Sequence, residues 1–268
     1  LANTTASQNT AVGAQTLTDN TTGAQNVALG FYSLDSNTTA SNNTGVGYQS
    51  LYTNTTGANN TAVGLNALVV NTTGGSNTAV GKGALDANTT ATGNTAVGVN
   101  AGGATTTGHV TAVGYAVLQS NTTGSANVAV GGNDETSAAA MQSNTTGDNN
   151  TAMGVAALKS NTTADHNTAV GYHALRLNTT GTANAALGAF AADAITTGDN
   201  NTAVGYNSLT VATTGDGNTA IGHQALLVTT TASSNTAVGK DALGANTTGA
   251  NNTGIGRQAL LSATTASS

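Results

Sequence analysis

A five-residue string, Asn-Thr-Ala-Val-Gly, returns along the chain, and its spacing restricts the folds that are open to this sequence. We call the glycine that closes the string, or its equivalent in variant copies, the anchor glycine. Twelve of the 14 intervals between anchors measure 17 residues, one measures 16 and one measures 23. Such a strict period is the signature of a repeat architecture. The 15 anchors are Gly13, Gly30, Gly47, Gly64, Gly81, Gly98, Gly114, Gly131, Gly154, Gly171, Gly188, Gly205, Gly222, Gly239 and Gly256.

The length of the repeat decides between helix and strand. Helical repeats need about 20 to 47 residues, so 17 residues rich in Asn and Gly cannot hold a helix pair. Thr and Val favour strands, whereas Asn and Gly favour turns. We therefore expect Thr-Ala-Val-Gly to form one strand and the run from Ala-Leu to Thr-Thr to form a second. The predicted fold is all-β, a parallel β-solenoid (β-roll) of about 15 coils, roughly 70 Å long at about 4.8 Å per coil.

Three recurring positions are predicted to form the interior of the coils. The residue before the anchor is always apolar, and Leu stands four residues after the anchor in 12 of the 15 repeats. We expect both of these side chains to point inward. Asn stands four residues before the anchor in 14 repeats, Val110 being the exception. Stacked Asn side chains are predicted to form a hydrogen-bonded ladder between coils.

Charge and composition exclude several classes of function. Only 6% of the residues are charged, with 5 Lys and Arg and a net charge of −6, which argues against nucleic-acid binding. The absence of Cys excludes thiolate-bound metals and disulfides. No run of 18 apolar residues is present, so we expect no membrane insertion. The four His residues have no recurring acidic partner, and we expect neither an enzyme nor a cofactor.

The organisation of the chain is expected to be simple. We predict a single continuous repeat domain over residues 1–268, with a six-residue insertion within 132–153 that forms a surface loop or carries binding contacts. Neither end resembles a cap, which favours a piece of a longer fibre or subunits that stack head to tail. One Val and one Leu per coil give little apolar burial against the entropy of ordering 17 residues, and this favours a homo-oligomer.

The repeat resembles those of known surface fibres. The string Asn-Thr-Ala-Val-Gly-x-x-Ala, as in Asn60–Ala67 and Asn167–Ala174, resembles the head repeats of YadA-like trimeric autotransporter adhesins. It is also similar to the shaft repeats of bacteriophage tail-fibre proteins. The resemblance covers residues 9–268 and implies a parallel β-roll, usually trimeric, in an extracellular cell-surface appendage or virion fibre. The adhesin repeat is usually shorter than the one in this chain.

Four aspartates are weak candidates for a calcium site. Each stands six residues before an anchor, so Asp148 stacks on Asp165 and Asp199 stacks on Asp216 one coil apart. Stacked carboxylates can share Ca²⁺. The alternative, which we favour, is that Asp occupies this position because it suits a turn.

Asparagines in Asn-Thr-Thr strings fit the acceptor pattern for N-glycosylation. A stacked column of them would coat the rod with sugar, although Asn-Thr-Thr-Gly is also a plausible turn. The 11 candidates are Asn3, Asn20, Asn37, Asn54, Asn71, Asn88, Asn121, Asn144, Asn161, Asn178 and Asn246.

The position after the anchor often holds an aromatic residue. Exposed rings at this position either cover a seam between subunits, which we favour, or stack on cell-surface glycans. The five candidates are Phe31, Tyr48, Tyr115, Tyr172 and Tyr206.

These observations predict a structural extracellular fibre or filament subunit whose main partner is itself. The alternative is an adhesin or receptor-binding shaft that contacts glycans through the aromatic column or the insertion. A third hypothesis is ice binding by Thr arrays. It is weakened because the recurring pair is adjacent Thr-Thr, whose side chains point to opposite faces of a strand.

Overall fold

The computed structural model describes residues 4–132 and 138–265. Its coils group into two compact units, Leu1–Asn127 and Val128–Ser268. The described residues form short strands joined by turns, and no helix among them could span a membrane. The first unit contains β1 (Thr10–Val12), β2 (Val27–Leu29), β3 (Thr44–Val46), β4 (Thr61–Val63), β5 (Thr78–Val80), β6 (Thr95–Val97) and β7 (Thr111–Val113). The second contains β8 (Val128–Val130), β9 (Thr151–Met153), β10 (Thr168–Val170), β11 (Ala185–Leu187), β12 (Thr202–Val204), β13 (Thr219–Ile221), β14 (Thr236–Val238) and β15 (Thr253–Ile255).

Within each unit, every strand pairs in parallel with the strand of the next coil. In the pairing of β4 with β5, Thr61 lies opposite Thr78 and Val63 lies opposite Val80, a shift of one repeat. Main-chain bonds continue beyond the strands, for example from the Gly81 N–H to the Val63 carbonyl at 2.7 Å. This register confirms the predicted all-β parallel β-solenoid with a 17-residue repeat. The single continuous domain over residues 1–268 stays a prediction.

The prediction of a second strand in each coil is wrong. The run that follows the anchor glycine forms turns in the described residues. The Leu side chains four residues after the anchors sit on backbone with φ between +48° and +52°. This left-handed conformation is incompatible with a strand and costs about 1–2 kcal/mol for an L-residue. Each coil therefore has one strand, and burial of the Leu side chain offsets the strain.

The residue before the anchor points outward, which corrects the predicted interior. In β2 to β15 the central Ala or Gly is the residue that is buried inside, as Ala28 and Ala62 are with no exposed surface. The flanking side chains face solvent, so that 55% of Val12 and 53% of Leu187 is exposed. Because side chains alternate along a strand, the sequence fixes which residues share a face of the sheet, but it does not fix which of the two faces lies inside the coil. The narrow interior decides: a Cβ added at Gly45 in β3 would lie 2.6 Å from Ser33 Oγ, so no Val side chain fits there.

The interior combines one large apolar residue per coil with small and polar ones. Leu51, Leu68 and Leu175 are fully buried, which confirms the inward position predicted for this column. Asn60 and Asn71 are also fully buried. The core of each unit therefore contains columns of Leu, Ala and Asn rather than a broad apolar layer.

The anchor glycine is required by two features of its position. All 15 anchors have φ between +118° and +140°, a region that L-residues rarely adopt. In addition, a Cβ on Gly64 would lie 2.5 Å from the carbonyl oxygen of Gly81 in the next coil. The regular string of anchors in the sequence therefore reflects close contact between the backbones of successive coils.

Candidate functional site

The Asn-Thr-Thr asparagines form a ladder of side-chain amides inside each unit. Asn37 Nδ2 donates to Asn20 Oδ1 at 2.9 Å, and Asn71 Nδ2 donates to Asn54 Oδ1 at 2.8 Å. Each amide also donates within its own coil, as Asn71 Nδ2 does to the Gly74 carbonyl at 2.9 Å. Apart from Asn178 Oδ1, the amide groups of this ladder are thus satisfied without solvent, as buried polar groups require.

This ladder bears on the predicted glycosylation sites. Asn20, Asn37, Asn54, Asn71, Asn88, Asn121, Asn144, Asn161, Asn178 and Asn246 are all buried, with at most 1% of their surface exposed. Asn3 lies outside the described residues. A glycan on Nδ2 would have to replace ladder hydrogen bonds and pass through the packed coil. The folded units therefore hold these acceptor amides away from a glycosyltransferase.

The asparagines four residues before the anchors form the second, predicted ladder, with a different bonding pattern. The Asn60 main-chain N–H donates to Asn43 Oδ1 at 2.9 Å, and Asn60 Nδ2 donates to the Gly74 carbonyl at 2.8 Å. The predicted ladder therefore exists. It runs mainly from side chain to main chain, and from Asn184 to Asn235 successive amides also bond directly to each other at 3.1 to 3.3 Å. Val110 replaces one Asn of this column, and its side chain is buried like those of the asparagines. Its main-chain N–H still donates to Asn94 Oδ1 at 3.0 Å, so the main-chain half of the ladder continues through this coil.

Three of the four aspartates proposed for calcium, Asp165, Asp199 and Asp216, accept main-chain N–H groups of the preceding coil. Asp165 Oδ1 accepts the N–H of Asp148 at 2.7 Å, and Asp216 Oδ1 accepts that of Asp199 at 2.8 Å. Ser41 fills the same role for Ala24 at 3.0 Å, which shows that a neutral oxygen suffices. Among the described residues no group of three or more His, Asp or Glu side chains could hold a metal ion. The geometry thus supplies a structural reason for Asp at this position.

The first and third residues of the strands form what we call the outer sheet face. Its first column contains 12 Thr, two Val and one Ala, and its second contains ten Val, two Leu, two Ile and one Met. No charged residue occurs at any of these positions. Each unit therefore presents a regular, uncharged face that is rich in methyl groups.

All five predicted aromatic candidates are exposed: Phe31, Tyr48, Tyr115, Tyr172 and Tyr206. In the first unit Phe31 and Tyr48 contact each other at 5.9 Å between ring centroids, and Tyr32 and Tyr52 extend this cluster. Sequence reasoning missed Tyr32 and Tyr52, which stand two and five residues after an anchor. The search for aromatic residues was confined to the position directly after the anchor, and extending it to these two positions of the repeat would have found both residues.

The second unit carries a longer group of rings, which we call the aromatic strip: Tyr172, His173, Phe190, Tyr206 and His223. Tyr172 stacks on His173 with centroids 3.9 Å apart and planes 11° apart. Phe190 meets both of them edge-on at 5.3 and 5.4 Å and contacts Tyr206 at 6.1 Å. Tyr206 stacks on His223 at 5.6 Å. Four consecutive coils thus contribute to one chain of ring contacts.

An ion pair lies beside the aromatic strip. Arg176 Nε and Nη2 donate to the two carboxylate oxygens of Asp193 at 2.8 and 3.1 Å. Burial lowers the pKa of His173, and the positive charges of Arg176 and Lys159 lower it further against the opposing effect of Asp193. His173 is therefore neutral at pH 7 and packs as an uncharged ring.

The predicted insertion is described only in part, since residues 133–137 lie outside the described residues. On its far side the Ala140 N–H donates to the Gly131 carbonyl at 2.8 Å, which restores the coil. Elsewhere, the 16-residue coil opens a shallow cavity of about 370 Å³ lined by Asp86, Asn100 and Gln119. The lining contains a single carboxylate, that of Asp86, which is not enough to assign a catalytic or metal-binding role to this cavity.

No protein-family model matches the chain, and no curated protein matches it.

Proposed function

We propose that the chain is a structural, non-enzymatic subunit of an extracellular fibre, in which further copies of the same chain cover the outer sheet face. The observation that carries the proposal is the composition of this face. Its Val, Leu, Ile and Met column is half-buried to exposed in the single chain, with 45% of Met153 and 53% of Leu187 accessible. Surfaces that meet only water normally carry charged side chains.

The size of the face supports an interaction between proteins. Eight strands about 4.8 Å apart, each about 10 Å wide, give the second unit a face of roughly 400 Å². This is about the size of the largest apolar patch on a typical monomer, and such a patch is often a functional surface. The resemblance to trimeric adhesin heads favours three copies, and the parallel coils suit a stiff spacer in a cell-surface appendage or virion fibre.

A charge placed on the outer sheet face tests this proposal. Leu187→Lys puts an ammonium group where a second copy would bury it, and burying an unpaired charge is costly. We expect the wild-type chain to sediment as an oligomer and Leu187→Lys to sediment as a monomer. Thr197→Lys is the matched control, because Thr197 is exposed in the turn that follows the same coil and lies off this face.

Circular dichroism spectra should coincide for all three proteins, because both substituted positions are exposed. A wild-type chain that sediments as a monomer at all concentrations overturns the proposal. In 12 of the 15 strands the outer sheet face places Thr and an apolar residue on the same side, so the opposite orientation of adjacent Thr-Thr side chains does not apply to this face. If the wild-type chain is a monomer and its solutions show thermal hysteresis, the outer sheet face is an ice-binding surface.

A further inference from the structure

The repeats act as an internal control for what the fold requires. At the position of Tyr172 and Tyr206, directly after the anchor, other coils carry Ala14, Val155 or Lys82 and form the same strand and turns. At the position of His173 and Phe190, two after the anchor, most other coils carry Gln, Asn or Ala. The solenoid therefore forms without these rings.

One of the rings is placed against the local preference of the backbone. Phe190 has a φ of 57°, in the left-handed region, which Asn and His adopt much more readily than a bulky apolar residue does. Asn207 occupies the equivalent position in the next coil at φ 53°. Unlike the buried Leu side chains in the same region, the Phe190 ring is only partly buried, so burial in the core does not offset its strain. Phe190 therefore indicates a role other than stabilising the coil.

The rings form a preorganised, half-exposed surface. About half of Tyr172 and Tyr206 is accessible, at 48% and 49%. Contacts of each ring with its neighbours in the aromatic strip restrict its rotation before any ligand arrives. A rigid aromatic surface loses little entropy on binding.

Polar groups next to the strip complement the rings. Arg176 uses two N–H groups on Asp193, and its other guanidinium N–H groups can donate to a ligand. The two charges cancel, so the pair offers hydrogen bonds without a strong net field. The Tyr hydroxyls add further donors and acceptors.

We propose that the aromatic strip, with the Arg176–Asp193 pair, is a binding site for a neutral saccharide chain. The apolar C–H faces of hexose rings pack on the aromatic rings, and their hydroxyl groups bond to the guanidinium, carboxylate and phenol groups. The net charge of −6 disfavours polyanions. This site extends the proposed function from a spacer to a shaft that adheres to glycans, and it uses positions after the anchor rather than the strand positions that make up the outer sheet face.

Affinity electrophoresis of the full chain tests the site, in native gels that contain dextran, galactomannan or, as the polyanion, alginate. We expect a neutral polysaccharide to retard the wild-type protein. The double variant Tyr172→Val with His173→Ala, which copies Val155 and Ala156 of the preceding coil, should weaken this retardation at least about tenfold. Phe190→Asn should weaken it similarly and should leave the unfolding midpoint unchanged or raised.

Tyr115→Ala is the matched control, since Tyr115 occupies the same column without ring neighbours among the described residues, and its retardation should equal that of the wild type. Three results would overturn the proposal: no retardation by neutral polysaccharides, retardation by alginate alone, or an equal loss in Tyr115→Ala. Sedimentation of the same variants separates this site from the fibre. Ring variants that lose their oligomeric state but keep their retardation would assign the strip to the subunit seam instead.

Discussion

At the scale of single residues, Asn supplies the polar interior of this solenoid. Its side-chain amide donates two hydrogen bonds and accepts others, so one Asn can satisfy groups in its own coil and in a neighbouring coil. The ladder leaves an orphan where the sequence changes: Asn178 Oδ1 has no partner, because Ile195 occupies the equivalent position in the next coil. The interior thus depends on continuity of the column more than on any single bond.

Removal of one amide from the ladder should therefore destabilise the fold. Asn71→Ala deprives Asn54 Oδ1 of its donor and Asn88 Nδ2 of an acceptor at 2.8 Å, both in a buried setting. We expect a loss of about 2–4 kcal/mol in the free energy of unfolding, measured by urea denaturation. Thr73→Ala, at an exposed position two residues away, should change it by less than about 0.5 kcal/mol. Equal effects of the two substitutions would show that the ladder contributes nothing.

The sequence could predict that Asn stacks but not which groups it would bond. Both Asn columns recur with the period of the coil, so stacking follows from the repeat itself. Acceptance of a glycan depends instead on exposure, and the Asn-Thr-Thr motif contains no information on whether its Asn lies inside the coil. Asn54 and Asn71 fit the glycosylation motif and are nevertheless fully buried.

At the scale of the coil, the volume of the interior decides the orientation of the strand. The pattern Thr-Ala-Val is compatible with either face inward, and the larger apolar residue was expected inside. The coil instead encloses the Ala and one Leu, because successive backbones approach each other closely at the anchor glycines. The length of the repeat can be read from the sequence. The width of the coil interior cannot, because it is set only when the coil closes and packs on its neighbours.

The close approach at the anchors predicts different costs for the same substitution in two coils. Gly64→Ala combines an unfavourable φ of +138° with a contact of 2.5 Å to the Gly81 carbonyl oxygen. Gly256→Ala has an unfavourable φ of +118°, but its Cβ would meet nothing within 4 Å. We expect Gly256→Ala to cost about 1–2 kcal/mol for the strain alone, and Gly64→Ala to cost clearly more. Urea denaturation measures both, and equal losses would mean that coil-to-coil contact is not what selects Gly.

At the scale of the whole molecule, the repeat and the function draw on different parts of the sequence. Residues that recur in every coil build the solenoid, and their period made the architecture predictable. The candidate glycan site consists of residues that depart from the repeat, such as Phe190, whose position carries Gln, Asn or Ala in most other coils. A departure in one coil becomes a surface only when neighbouring coils bring it next to others, so the strip could not be assembled from the period alone.

The stability of the molecule should also be nearly independent of salt, since so few charges hold it together. Within the described residues the ion pairs are Arg176–Asp193 and a looser contact of 3.9 Å between Lys240 and Asp241. Pairs at the protein surface contribute about 0–1 kcal/mol each, and 1 M salt reduces the screening length to about 3 Å. We expect the unfolding midpoint to differ by no more than about 4 °C between low salt and 1 M NaCl, as measured by circular dichroism. Arg176→Ala should reduce that difference further, because it removes the closer pair. A larger shift in the wild type would mean that charge repulsion or ion pairing, rather than inter-coil hydrogen bonding, controls the stability of the coils.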